Sequence, residues 1–166
     1  MFFTSLLLLS GCGFKPRGSG FESLEGQSIF LLSENPYGEL ERNIRKNLSL
    51  YSMSVENESV SDKEIERNGI RIINIKVNKV AISVDVNGRP AEYETIITVD
   101  ANFYFKDKQE QQNQFSVRRD YQYKSNNNLA HDKELEILTS EMTSELSQRI
   151  VEQFLRQLTD YRSVAQ

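Results

Sequence analysis

The stretch NGRPAEYETIITVDANFYFK, residues 87–106, decides the fold because it joins a tight turn to a long alternating strand. An Asn-Gly pair favours a short turn between two antiparallel strands. After the turn, alternate positions from Tyr93 to Phe105 are mostly apolar, and the positions between them are mostly polar. A period of two predicts a strand with one buried face and one half-solvated face.

Similar patterns lie on both sides of this strand. Residues 70–86 alternate as well, but the phase of the apolar positions changes near Ile72 and again near Asn78 and Lys79. A change of phase inverts the face of every later side chain, so we expect a bulge at each of these two places. Phe115 begins a further alternating run that reaches Tyr123. The three strands together predict an antiparallel meander.

A compact strand and two amphipathic helices complete the predicted elements. The apolar run SIFLLS, residues 28–33, predicts a strand that is covered on both faces. Asn35 and Pro36 then predict a helix start, with apolar residues at three- and four-residue steps as far as Tyr51. Residues 54–68 are polar and predict a loop or a weak edge segment. A continuous apolar stripe predicts a long helix over residues 130–158.

The order strand, helix, three strands and helix predicts an α+β fold. Both helices have one apolar stripe and the meander has one apolar face, so we expect a two-layer sandwich with the two helices on one face of a four-stranded mixed sheet. With 38% hydrophobic residues among 166, the chain has the apolar content for one such domain. We place this domain at residues 28–166.

The single cysteine, Cys12, follows an uncharged apolar segment and completes the tetrapeptide LSGC, residues 9–12. Small residues before a cysteine form the bacterial lipobox, whose thiol receives a diacylglycerol group. The apolar segment is too short to span a bilayer and is typical of an export signal. We therefore expect residues 1–11 to be a lipoprotein signal peptide, Cys12 to carry the lipid, and residues 12–27 to be anchor and linker.

Composition argues against several other classes of protein. The net charge is −4 and the 20 basic residues are spread along the chain, so nucleic acid is not an expected partner. One cysteine and one histidine cannot supply the usual three or four zinc ligands. His131 lies in a polar segment beside Asp132, which we expect to cap the last helix. We expect no metal, no cofactor and no enzymatic activity.

Two surface features suggest binding. Basic residues lie at Arg89 beside the predicted hairpin, at Arg119 in the last strand and at Lys133 near the last helix, and these side chains could bind phosphate through charge-assisted hydrogen bonds. The alternative is that they are solvated charges which protect strand edges. Tyr104 has the opposite parity from Tyr93 and the other strand tyrosines, which makes it a candidate for an exposed partner surface.

Taken together, the lipobox that runs into CGFKPRG, the hairpin NGRPAEYETIITVDA and the long last helix resemble the family of the LPS-assembly lipoprotein LptE, also called RlpB. The resemblance covers nearly the whole chain. It implies a non-enzymatic outer-membrane lipoprotein that plugs the LptD barrel in a 1:1 complex, helps to assemble it, and aids lipopolysaccharide delivery. Cys12 would then carry the N-palmitoyl and S-diacylglycerol groups at the periplasmic face.

The resemblance also gives the basic residues a role, as candidate contacts of Arg89, Arg119 and Lys133 with lipopolysaccharide phosphates. Arg119 matches a basic position of the family, whereas Val86 and His131 stand where the family carries basic residues near the hairpin and the last helix. An alternative remains open, in which the chain is a lipid-anchored periplasmic binding or chaperone module for another envelope ligand.

Overall fold

The structure is a computed structural model that describes residues 24, 26–56, 67–123 and 128–164. Its elements are, in chain order, β1 (Ser28–Leu32), α1 (Glu39–Ser49), β2 (Ser54–Glu56), β3 (Gly69–Val84), β4 (Pro90–Tyr104), β5 (Gln111–Gln122) and α2 (Asn128–Val164). The fold class is α+β, and both helices pack on one face of a mixed sheet, as predicted.

The sheet has the strand order β2-β1-β3-β4-β5. Strand β1 is parallel to both of its neighbours, while β3, β4 and β5 form the predicted antiparallel meander. The sheet has five strands because the three-residue β2 adds to its edge, within the segment predicted to be a loop or a weak edge. Helix α1 connects the parallel strands β1 and β2, which is the connection that parallel pairing requires.

Strand β3 contains the irregularities that its sequence pattern predicts. The register with β4 shifts between Ile72 and Asn74, where the first bulge was expected. The second shift lies between Ala81 and Val84, a few residues beyond its predicted place at Asn78 and Lys79. The first shift leaves an extra residue on β3, so that Ile72 and Ile75, three positions apart, face the same side. In the second region an extra residue on β3 after Ala81 is followed by one on β4 after Glu92, so the two strands return to the same count.

Helix α1 begins later than predicted. The Asn35 carbonyl accepts the Gly38 N–H at 2.9 Å, so the residues expected to open the helix form a turn instead. Gly38 is the N-cap, and Glu41 in the first helical turn is buried and accepts a hydrogen bond from the Ser33 hydroxyl. The predicted Asn35 cap is therefore wrong, because Asn35 is the first residue of a turn that ends at the N-cap Gly38.

Helix α2 runs along the whole sheet and extends beyond the predicted residues 130–158 at both ends. Since it begins at Asn128, Asp132 lies inside the helix and the cap predicted for it is wrong. The predicted stripe is confirmed over most of its length. Its fully buried members are Met142, Leu146, Ile150, Phe154 and Leu158.

The core is densest at the end of the sheet where β4 finishes. The Phe103 ring lies 5.4 Å from the Phe154 ring in edge-to-face contact, and Phe105 stacks on Phe154 at 5.5 Å. Tyr161 approaches Phe105 at 4.7 Å between ring centroids. Aromatic pairs at these distances add about 0.5–1.5 kcal/mol each beyond the area they bury. We call this end the base of the sheet and the β3–β4 turn its tip.

A second, smaller apolar contact lies on the opposite face of the base. Phe30 of β1 is 2% exposed although it points away from the helices. It pairs in register with Gly69, which pairs with Tyr104, and the Phe30 and Tyr104 rings lie 5.5 Å apart. Gly69 is thus covered from the outside by two aromatic rings.

Candidate functional site

The structure does not bring the three predicted phosphate-binding residues together. Arg89 lies in the turn at the tip, Arg119 lies on β5 directly across from Thr95 of β4, and Lys133 lies near the start of α2. Arg89 precedes Thr95 by six positions, which corresponds to roughly 20 Å along the strand. Arg89 and Arg119 therefore cannot hold the same phosphate group.

Arg119 faces the helix layer and forms an ion pair with Glu145 of α2. Arg149 approaches the other oxygen of the same carboxylate at 2.5 Å and donates to the Ser116 carbonyl at 3.3 Å. Two guanidinium groups therefore share one carboxylate between α2 and β5. This arrangement fixes the helix against the strand and leaves one positive charge in excess.

Lys133 is also paired, since its ammonium group lies 2.8 Å from Glu136 one turn along α2. Both side chains are more than half exposed, and exposed pairs of this kind contribute only about 0–1 kcal/mol. An anionic ligand would replace Glu136 at little cost. On the outer face of the sheet, Arg118 pairs in the same way with Glu94 at 3.1 Å.

Arg89 differs from the other two because, among the described residues, no carboxylate lies within ion-pair distance of its guanidinium group. Its backbone N–H and that of Asn87 donate to Asp85 Oδ1 at 2.9 and 2.8 Å. These two hydrogen bonds lower the pKa of the Asp85 carboxyl. Gly88, at φ +76°, completes the turn that the sequence predicted. The turn therefore presents Arg89 to solvent from a fixed backbone.

Lys79 is a basic residue of this surface that the sequence did not reveal. In register it lies across from Thr95, which lies across from Arg119, so the three form one row on the helix face of the sheet. Thr95 is 1% exposed, and its hydroxyl has no hydrogen-bond partner among the described residues. In the sequence, only the alternation of β3 indicates which face of the sheet Lys79 lies on. Because a bulge was expected at Lys79 itself, this alternation could not assign the residue to a face.

Three tyrosines lie next to this row, toward the tip. Tyr93 stacks on Tyr121 at 5.7 Å, and Tyr123 meets Tyr93 edge-on at 5.8 Å. The Lys79 ammonium group lies 4.1 Å from the centre of the Tyr93 ring, which is a cation–π contact. These rings pack against each other across neighbouring strands, which is a common role for aromatic residues on a sheet.

Tyr104 does not present a free ring to a partner. It is half-buried against Phe30, and its hydroxyl donates to Glu110 at 2.5 Å. Burial and the hydrogen bond to Glu110 raise the pKa of the Tyr104 phenol. Tyr104 therefore belongs to the aromatic cover of Gly69, and its predicted role in an exposed partner surface does not follow from this packing.

A pocket of about 160 Å³ opens between the start of α1, strand β3 and helix α2. Its floor is apolar and consists of Leu40, Ile97, Val99 and Leu146, and Ile75 of β3 forms one side. Glu39 and Glu41 line the α1 side, where Glu39 accepts a hydrogen bond from Ser140 of α2 at 2.5 Å. An apolar floor with a charged side suits an apolar group better than an ion.

Cys12 and the rest of residues 1–23 lie outside the described residues, so the lipid-attachment prediction stays a prediction. Neither α1 nor α2, within the part of the chain that the structure describes, combines the length and the apolar content that crossing a membrane requires. No group of three His, Cys, Asp or Glu side chains suited to a metal ion occurs among the described residues.

Comparison with known proteins gives consistent matches. The family model described as "LptE: Lipopolysaccharide-assembly" matches residues 27–154. A curated protein of Yersinia pestis named LPS-assembly lipoprotein LptE is 30% identical over 91% of this chain and 72% of its own length. The protein of the same name from Photorhabdus laumondii is 28% identical over 91% of this chain and 81% of its own length.

Solved structures show the same architecture. The rare lipoprotein B of Shewanella oneidensis superimposes with a TM-score of 0.72 at 26% identity, covering 82% of this chain and 98% of the other. A lipoprotein B from Nitrosomonas europaea gives a TM-score of 0.56 at 20% identity over 92% of this chain and 94% of its own, which indicates a shared fold.

Proposed function

Since the chain belongs to the LptE family of lipopolysaccharide-assembly proteins, we propose that it is an outer-membrane lipoprotein that plugs and helps assemble the LptD barrel. In this role it aids the delivery of lipopolysaccharide to the cell surface. The observation that carries the proposal is the family match over residues 27–154, which includes all five strands, α1 and most of α2. The protein acts by binding and has no catalytic step.

The lipid anchor follows from the lipobox. Cys12 carries S-diacylglycerol and N-palmitoyl groups, and about 0.8 kcal/mol per buried CH₂ keeps the protein at the periplasmic face of the outer membrane. A linker after Cys12 connects this anchor to the domain. Export and processing at Cys12 are therefore required for function.

The surface of the domain suits the polar interior of an outer-membrane barrel. Its exposed charges are of both signs and many are paired locally, as Arg118 with Glu94 and Lys133 with Glu136 show. A plug of this kind makes many polar contacts and needs no large apolar patch over its whole surface. The domain can therefore occupy a hydrated lumen without exposing its core.

Lipopolysaccharide phosphates bind at Arg89, Arg119 and Lys133. Arg89 contributes most, because it gives up no ion pair with a described residue, whereas Arg119 must share its charge with Glu145. A charge-assisted hydrogen bond contributes about 1.5–3 kcal/mol, so the loss of Arg89 should weaken binding roughly tenfold or more. Lys133 contributes less, because it gives up its ion pair with Glu136 when it binds a phosphate.

Co-purification tests the barrel-plug function directly. The full-length chain with an affinity tag is expressed in a Gram-negative host and extracted in mild detergent. We expect a 1:1 complex with a large outer-membrane barrel protein. A chain that is correctly lipidated but elutes alone would contradict the proposal and would favour the lipid-anchored binding module.

The phosphate contacts are tested with lipopolysaccharide and single charge reversals in the full-length protein. Arg89→Glu should lower affinity more than Lys133→Glu. Arg119→Glu should lower the affinity more than its control Arg118→Glu. The control makes the same charge change on the neighbouring residue of β5, but on the outer face of the sheet. Equal affinities for all four variants and the parent protein would show that lipopolysaccharide binds elsewhere.

A further inference from the structure

The distal part of β3 is an unpaired sheet edge. Strand β1 pairs with β3 only at Gly69, Ile70 and Arg71, while β4 continues along the other side as far as Val84. From Ile72 to Val84 no described strand pairs with the β1 side of β3. At 3.3 Å per residue this edge is roughly 40 Å long.

This edge lacks most of the features that natural proteins use to protect such strands. Protected edges are short, covered or rich in charge and proline. Here the strand is long, has no proline and carries large exposed apolar side chains on both faces. Ile75 is 43% exposed and Val77 is 59% exposed on the helix face, and Val80 is 52% exposed on the outer face. A long apolar edge of this kind is a template for pairing with another strand.

No described strand continues β1 beside this edge. After Leu32, β1 ends and the chain turns at Asn35 into α1, so no strand of the described residues occupies the sheet position next to Asn74 and Ile75. The pocket at the start of α1 adjoins this position, because Asn35 and the edge residue Ile75 both line it. A strand added here would direct every second side chain to the helix face, which is the face where the pocket lies.

From this arrangement we propose that the free edge of β3 binds an extended segment of a partner protein by β-strand addition. One apolar side chain of that segment enters the pocket beside Ile75. A volume of about 160 Å³ holds one such group, since an apolar cavity of about 150 Å³ binds benzene. Main-chain hydrogen bonds supply affinity in this mode, and the pocket supplies specificity.

The charge of the β3 edge determines which residues of the partner segment fit between its apolar ones. On the outer face the edge carries Lys76, flanked by Asn74 and Asn78, and among the described residues Lys76 has no ion pair. Opposite charges directly across a strand pair stabilise pairing, and like charges weaken it. The partner segment therefore alternates apolar residues, which face the pocket side, with acidic residues, which face Lys76.

The same charges disfavour a second copy of this chain as the partner. Two β3 edges would each bring Lys76 and Lys79 into the new strand pair, and neither edge carries an acidic residue between Ile72 and Val84 to compensate them. The proposal uses only the edge and the pocket, so it does not depend on the proposed function.

The test uses the purified full chain and capped nonapeptides. The first probe alternates five glutamates with four leucines, and the second has the same composition with all glutamates before all leucines. We expect the alternating peptide to bind at least tenfold more tightly. Amide hydrogen exchange should then slow at alternate residues between Ile72 and Val84, because the other amides of this stretch already face β4.

Matched variants distinguish binding at the β3 edge from non-specific binding elsewhere on the surface. Ile75→Lys should weaken binding at least tenfold, whereas Ile137→Lys, at a 52% exposed position of α2, should not. Lys76→Glu should weaken binding of the acidic peptide, whereas Lys106→Glu in the β4–β5 turn makes the same charge change without effect. Lys76 is exposed, so this variant keeps the test valid if Ile75→Lys does not fold.

Four results would overturn the proposal. They are equal binding of the two peptides, no binding of either at millimolar concentration, slow exchange of the edge amides in the protein without peptide, and protection that rises with protein concentration alone. The third result would mean that the chain covers its own edge, and the fourth would mean that a second copy does so.

Discussion

Replacement of Gly69 by alanine tests whether the Phe30 ring packs directly against the Gly69 backbone on the outer face of the sheet. A β-carbon on Gly69 would lie under 3.0 Å from the Phe30 ring, closer than real β-carbons come to other atoms. Overpacking of a buried site costs about 1–3 kcal/mol. Alanine also stabilises a strand by about 0.5–1 kcal/mol relative to glycine. The balance predicts a net destabilisation of about 1–2 kcal/mol.

The sign of the effect should depend on Phe30. In a Phe30→Ala background the ring is absent, so only the gain in strand propensity remains and Gly69→Ala should stabilise the protein by about 0.5–1 kcal/mol. Phe30→Ala itself should cost about 3–5 kcal/mol, as loss of a buried phenylalanine does. If that variant is too unstable to study, Phe30→Leu serves in its place with a smaller change of the same sign.

Equilibrium unfolding in urea of the four proteins gives the coupling free energy between the two positions. We expect a coupling of about 2 kcal/mol, within the range seen for residues in direct contact. Stabilisation by Gly69→Ala in the parent protein would refute the reasoning. An equal effect of Gly69→Ala in both backgrounds would do so as well, since it would show that the ring does not press on this position.

Three further predictions concern single sites. Thr95→Val should leave stability unchanged or raise it by about 1 kcal/mol in urea unfolding, because it removes a buried hydroxyl that has no described partner. Leu146→Ala should lower the free energy of unfolding by about 2–5 kcal/mol, because Leu146 is fully buried between α2 and β4. Asp85 has a lowered pKa when folded, so its stabilisation of the turn is present above its unfolded pKa of about 3.9 and is lost as pH falls through the folded pKa. An NMR titration of the Asn87 and Arg89 amides should therefore have its midpoint below pH 3.9, and a midpoint above it would contradict the two hydrogen bonds.

The meander and the long helix could be predicted from sequence because each depends on a pattern that many residues repeat. Every alternate residue from Thr95 to Phe105 is buried on the helix face, and Tyr93 at the start of this series is half-buried. The stripe that includes Met142 and Leu146 corresponds to the buried face of α2. In both cases the burial of one face outweighs local preferences, so the period alone is sufficient.

The helix ends and the cationic surface could not be predicted in the same way. The Asn35 carbonyl bonds to the Gly38 N–H, and a capping residue in the sequence does not reveal whether a turn comes first. The partners of Arg119 and Lys133 depend on which helix face meets which strand. Lys79 lies on the helix face because the register is uninterrupted from Asn74 to Ala81, and the shift expected at Lys79 falls after it. These features depend on register, which a one-residue change inverts.

Stability and binding are separated along the length of the sheet. At the base, β3 lies between β1 and β4 and its residues Ile70 and Ile72 are buried under the helices. Toward the tip, β4 is the one described strand beside β3, and Ile75 and Val77 are exposed. A strand that is anchored at one end can leave its other end apolar and unpaired, because the base supplies the free energy that keeps the hairpin in register. The same long strand therefore holds the fold together at one end and offers a partner surface at the other.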